Sequence, residues 1–165
     1  MAEENDVIFR EVQRFSLWLR LMPAFTAIVA IGIIGFLIIF QQFYIHPGVI
    51  ALTILAVICP VILLCVMKLE TEVRSDGLYV RFFPVHIRYK KFTSEDLLES
   101  HARTYRPIAE YGGWGIKWGK AGKAYNMSGK EGVQLVFKNG KRLLIGSQKS
   151  GELVKAIGSI MGNSY

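Results

Sequence analysis

The residues best suited to chemistry here are a glycine-dense run, three histidines, one adjacent carboxylate pair and a set of cations. Gly112, Gly113, Gly115, Gly119, Gly122, Gly129 and Gly132 crowd positions 111–132, a density that invites a phosphate-binding reading. A P-loop needs G-x-x-x-x-G-K-[ST] between a strand and a helix, so that backbone N–H groups, lysine and hydroxyl converge on one phosphate chain. Here Gly122-Lys123 is followed by Ala124 and has Lys117 where the first glycine belongs, while Gly129-Lys130 is followed by Glu131. The dinucleotide pattern fails as well, because Trp118 occupies the third glycine position after Gly113 and Gly115. These glycines do not support nucleotide binding. His46, His86 and His101 have no cysteine or second histidine at ligand spacing, so no metal centre and no cofactor is expected. Glu95-Asp96 sits in Thr93-Ser94-Glu95-Asp96, a composition that caps a turn better than it divides into general acid and base. No serine, threonine or cysteine has a recognisable base beside it in sequence. The expectation is a non-enzymatic protein, with an unrecognised site in the glycine-rich region as the enzymatic alternative.

The cations offer a different chemistry. Arg81, Arg88, Lys90 and Lys91 cluster early, and Lys138, Lys141 and Arg142 cluster late. Arg81, Arg88, Lys90 and Lys91 are candidate contacts for anionic lipid, set against the plainer reading of a solvated basic face. Trp114, Trp118 and Tyr125 are candidates for protein docking, and barrel core is the competing role for at least one tryptophan. Nucleic acid is not expected, because the basic residues lack an ordered stacking platform.

What positions these residues is a chain of two kinds. Residues 21–67 contain no Lys, Arg, Asp or Glu. Two segments, 21–40 and 49–67, each supply the roughly 20 apolar residues that cross about 30 Å of hydrocarbon as a helix. They predict a transmembrane hairpin, with Ala24, Ala27, Gly32 and Gly35 offering one helix a close approach to the other. Cys59 and Cys65 lie six residues apart on the second span and read as packing residues. The loop 41–48 has no Lys or Arg, whereas Arg10, Arg14, Arg20, Lys68 and Arg74 flank the spans. The positive-inside rule then places both termini in the cytoplasm, with Phe40, Phe43 and Tyr44 at the outer interface. Residues 1–20, with Phe9, Val12, Phe15 and Leu19 at helical spacing, predict a cytoplasmic amphipathic lead-in.

Residues 68–165 carry 17 Lys/Arg against 9 Asp/Glu and alternate apolar with polar positions. Strands are expected over 69–73, 78–83, 86–92, 98–104, 114–118, 133–137 and 142–145, with a tight Asn139-Gly140 hairpin and a C-terminal helix after Ser150. About seven antiparallel strands bent into a barrel, with that helix capping it, satisfy the edges and bury both apolar sets.

That arrangement is pleckstrin-homology-like (PH-like). The segments Phe9-Arg10-Glu11-Val12-Gln13-Arg14-Phe15, Tyr111-Gly112-Gly113-Trp114-Gly115-Ile116, Ala124-Tyr125-Asn126, Ser128-Gly129, Gly132-Val133 and Leu144-Ile145-Gly146-Ser147-Gln148 resemble prokaryotic two-span, membrane-anchored PH-like proteins of unknown function. The resemblance covers nearly the whole chain and implies fold and location, without activity or site residues. The expected function is a scaffold or accessory subunit at the inner membrane, docking a protein partner or a second copy. The alternative is a sensor of anionic lipid.

Overall fold

The computed structural model describes residues 6–41 and 46–162, and the chain divides into two compact units. One is Phe15–Met67. The other joins the chain before that stretch to the chain after it.

The helical unit consists of α1 (Leu17–Gln41) and α2 (Pro47–Val66). Each contains a 20-residue apolar span, Leu17–Phe36 and Pro47–Val66, whose 18-residue windows reach mean hydropathies of 2.0 and 3.1 with none of either window buried. Both helices are therefore long and apolar enough to cross a membrane. The first starts before Leu21, because Leu17, Trp18 and Leu19 extend the apolar run and the Arg20 Nε–H donates to the Phe15 carbonyl at 2.8 Å. Pro47 opens the second, where its missing N–H costs no bond. The helices do not meet through Gly32 and Gly35, while Ala24 and Ala27 on the same face are half-buried. A Cβ on Gly32 or Gly35 would find open space, while Ile31 and Ile34 line a cavity of about 120 Å³ with Ile50, Thr53, Ile54 and Val57. Branched side chains keep the backbones apart there. Residues 42–45, and with them Phe43, Tyr44 and half of the expected outer loop, lie outside the described residues, as does the Phe40 side chain.

The globular unit begins earlier than expected. Val7–Arg14 is a strand, β1, and not an amphipathic helix. It pairs antiparallel with β2 (Lys68–Arg74), Arg14 opposite Lys68 and Phe9 opposite Val73. Phe9 and Gln13 are buried while Arg10, Val12 and Arg14 are exposed, a period of two. A polar residue, Gln13, on the buried face disguised that period. Its Nε2 donates to the Gly146 carbonyl at 2.6 Å, 133 residues later. Glu11 accepts from Ser147 Oγ at 2.6 Å and from the Gln148 N–H at 2.9 Å. The domain therefore does not begin at 68: the apolar hairpin is inserted between its first two strands.

With β3 (Gly77–Phe83) and β4 (Lys90–Phe92) these strands form one antiparallel sheet in sequence order. The expected strand over 86–92 is reduced to its last three residues, because residues 84–89 form a loop. After a 3₁₀ turn at Ser94–Asp96 come β5 (Leu97–Thr104), α3 (Pro107–Tyr111), β6 (Gly115–Gly119), β7 (Gly122–Asn126), β8 (Glu131–Phe137), β9 (Arg142–Gly146) and α4 (Ser150–Ile160). The second sheet has the order β5-β8-β9-β7-β6, with β7 and β9 parallel. The count is thus nine strands, one pair parallel, in two sheets that no strand pairing closes into a barrel among the described residues. The apolar face of α4 carries Leu153, Ala156 and Ile157, all buried, and packs on β1, β2 and β3 as well as β5 and β8. It supplies the core that the two sheets share.

The glycine-dense region is a packing solution. Gly122 has φ +100°, and a Cβ there would fall 2.4 Å from the Arg142 carbonyl oxygen on β9. Gly122→Ala is expected to cost about 1–3 kcal/mol through that conformation alone. It should appear as a lower thermal midpoint of the full chain in detergent.

Candidate functional site: a cation-lined cleft

The four candidate lipid contacts do not form one patch. Arg81 and Lys91 lie on the outer face of the first sheet. There Glu70 and Glu72, only 2% and 3% exposed, sit beneath a cover of cations and tyrosines. Arg81 Nε donates to Glu70 at 2.6 Å and Lys68 reaches the same carboxylate at 2.6 Å, while Arg10 and Arg74 pair with Glu72. Tyr89 Oη reaches both carboxylates, at 2.9 and 3.1 Å. Burial and the Glu70 bond push the Tyr89 phenol up to about 12. Lys91 binds Asp76 at 2.6 Å and holds its carboxyl below the usual range. Arg88 is exposed in the loop before β4.

Lys90 alone of the four faces inward, because β4 alternates and Lys90 shares a face with Phe92. That face opens on a cleft of about 360 Å³ between β4, β7 and the β8–β9 hairpin. Phe92, Tyr125, Phe137 and Leu143 line its apolar part, with the Phe92 and Phe137 rings 5.5 Å apart. Lys90, Lys123, Lys141 and Arg142 line it with charge, against one carboxylate, Asp96, which accepts from Thr93 Oγ1 at 2.5 Å. None of these four cations forms an ion pair among the described residues. The hairpin is not the expected two-residue turn. Gly140 N–H donates to the Phe137 carbonyl and Phe137 N–H to the Lys141 carbonyl, both at 2.9 Å. Gly140 at φ +77° then carries the chain round after an ordinary turn, and Lys141 and Arg142 line the cleft.

The docking candidates separate too. Trp118 is 71% exposed, with Lys123 Nζ 4.6 Å from its ring. Trp114 is half-buried, its indole N–H donating to the Gly129 carbonyl at 3.2 Å. Tyr125 is corrected from an exposed residue to a buried one: at 2% exposure it offers no ring face, and its hydroxyl lies 3.5 Å from Lys90 Nζ. His86 packs edge-on against Tyr125 at 5.6 Å. Burial, then the charges of Lys90 and Lys123, hold its pKa below the ordinary imidazole value.

Sequence reasoning missed Lys123, because it stood among glycines tested only for a P-loop. The usable signal was alternation: Lys123 and Tyr125 are two apart on one strand. Among the described residues, no group of three His, Cys, Asp or Glu side chains is placed to hold a metal ion.

Two sheets bridged by a terminal helix, a pair of long apolar helices inserted after the first strand, and a basic cleft define the class of protein. The chain belongs to DUF6141, a family of unknown function, whose profile matches residues 2–164. No match was found among curated proteins or among solved structures.

Proposed function

We propose that this is a two-span membrane protein whose PH-like domain recognises a phosphorylated anion in the cleft. The observation that carries the reading is four cations without ion-pair partners around one cavity, with Asp96 the only carboxylate lining it, among the described residues. Water-exposed lysines normally spread apart or pair with carboxylates. A lone cationic cleft of this size gains from an anion that bridges several of them. Two charge- and topology-based readings accompany it. The absence of Lys and Arg from 41–48, against Arg14, Arg20 and Lys68 beside the spans, supports both termini lying in the cytoplasm. The PH-like reading rests on two mainly antiparallel sheets sharing the core supplied by α4.

Calorimetry on the full chain in neutral detergent, with pyrophosphate as the probe, tests the cleft. Saturable binding is expected, weakened about tenfold by Lys123→Glu or Arg142→Glu, which is 1.4 kcal/mol at each position. Lys138→Glu, outside the cleft, should leave it unchanged. Repeating the titration in nanodiscs with and without phosphatidylglycerol separates the two sources of phosphate. Competition by the anionic lipid assigns the cleft to headgroups, and its absence assigns it to a soluble ligand. Heat that is absent, or unaffected by both substitutions, refutes the reading.

Trp118 favours a second reading, docking of a protein partner beside the cleft, since a 71% exposed indole under a lysine is a costly surface to leave bare. Purification in mild detergent with crosslinking tests it. A partner lost on Trp118→Ala is expected, and a lone monomer contradicts it.

A further inference from the structure

We infer that the loop 84–88 is a membrane-surface wedge, a third point of contact with the bilayer beyond the two spans. Register places it. Phe83, the last residue of β3, pairs with Lys68, and Lys68 pairs with Arg14. Lys68 stands two residues after α2 ends, and Arg14 three before α1 begins. The loop thus leaves the sheet at the same end from which the chain departs into both apolar helices.

Its side chains are sorted for an interface. Val85 is 61% exposed and Ile87 76%, while His86 between them is drawn inward against Tyr125. The His86 N–H donates to the Phe82 carbonyl at 2.7 Å, which fixes the turn that presents its two neighbours. Arg88 follows, exposed, and Arg14 at the same sheet end is exposed as well. Paired apolar side chains with flanking cations match a bilayer boundary, where the apolar groups enter about 5–10 Å and the cations meet phosphate headgroups. The opposite end of the β2–β3 hairpin, Ser75-Asp76, has no such apolar pair.

This inference rests on α1 and α2 crossing a bilayer, so the test reads both. The full chain is placed in nanodiscs containing lipids with a nitroxide at a shallow or a deep acyl position. An environment-sensitive fluorophore is attached to one cysteine at a time: native Cys59 in a Cys65→Ala chain, or Ile87→Cys or Ser75→Cys in a chain with both native cysteines replaced by alanine. The deep nitroxide should quench Cys59. The shallow one should quench position 87 several-fold more than position 75, with a blue-shifted emission at 87. If Cys59 is quenched and position 87 matches position 75, the wedge is refuted and the spans stand. A blue shift at 87 without lipid quenching shows burial against protein and equally overturns it. No quenching at Cys59 removes the spanning reading and the wedge together.

Discussion

Replacing Arg81 by methionine is expected to cost the globular domain about 2–4 kcal/mol, at or just below the lower end of what stranding one member of a buried ion pair costs. Glu70 is almost wholly covered, and Nε and Nη2 of Arg81 converge on its Oε2, with the guanidinium also 4.4 Å from the Tyr89 ring. Lys68 and Tyr89 remain after the substitution and keep the loss from being larger. Glu70→Gln should cost less, about 1 kcal/mol, because the freed arginine is a quarter exposed and can turn to water. The double replacement Arg81→Met with Glu70→Leu should recover most of the loss, since neither charge then needs a partner. Urea unfolding of the four proteins in detergent measures this order. The pH dependence has a definite sign. Burial would raise the Glu70 carboxyl, but bonds from Lys68, Arg81 and Tyr89 outweigh it and leave the value below the ordinary 4.5. That stabilisation is present above the ordinary value and is lost as pH falls through the lower folded one. Tyr89 works at the other limit. Its contribution is complete below about pH 10, the unfolded phenol, and is lost as pH rises toward 12. Tyr89→Phe should reduce the alkaline dependence, which Tyr105 and Tyr111, raised by burial, still supply in part, and should leave the acid one weakened.

Leu153→Ala should be at least as damaging, at about 2–5 kcal/mol. Leu153 is fully buried on the helix that packs on three strands of one sheet and two of the other. The cavity would open where the sheets share their core, and among the described residues no strand pairing links them to compensate. Gly151→Ala, on the same helix with open space around its missing Cβ, should be neutral or slightly stabilising. Thermal unfolding of both variants separates lost packing from altered helix propensity.

Much of this architecture was legible. The charge-free run 21–67 announced two long apolar helices, and alternation announced β2, β3, β5, β8 and β9. The first strand was not legible, since Phe9, Val12 and Phe15 fit a helix and Gln13 hid the strand period until its partner Gly146 came into view. The barrel expectation failed because sequence pattern fixes strand faces but not which edges meet. A parallel β7–β9 pairing cannot be read from two five-residue strands. At the site, cation type was legible and grouping was not. Arg81 and Lys91 belong to the outer face, where cations cover buried carboxylates, Lys90 to the cleft, and only the fold separates neighbours that are adjacent in sequence.

The most direct test of the cleft is the titration of His86, followed by proton NMR on the full chain with and without pyrophosphate. Free, His86 should titrate below the ordinary imidazole value, depressed by its burial and by Lys90 and Lys123. An anion seated among those lysines offsets their field, so saturating pyrophosphate should raise the His86 value. A His86 curve that does not move would contradict anion recognition in the cleft.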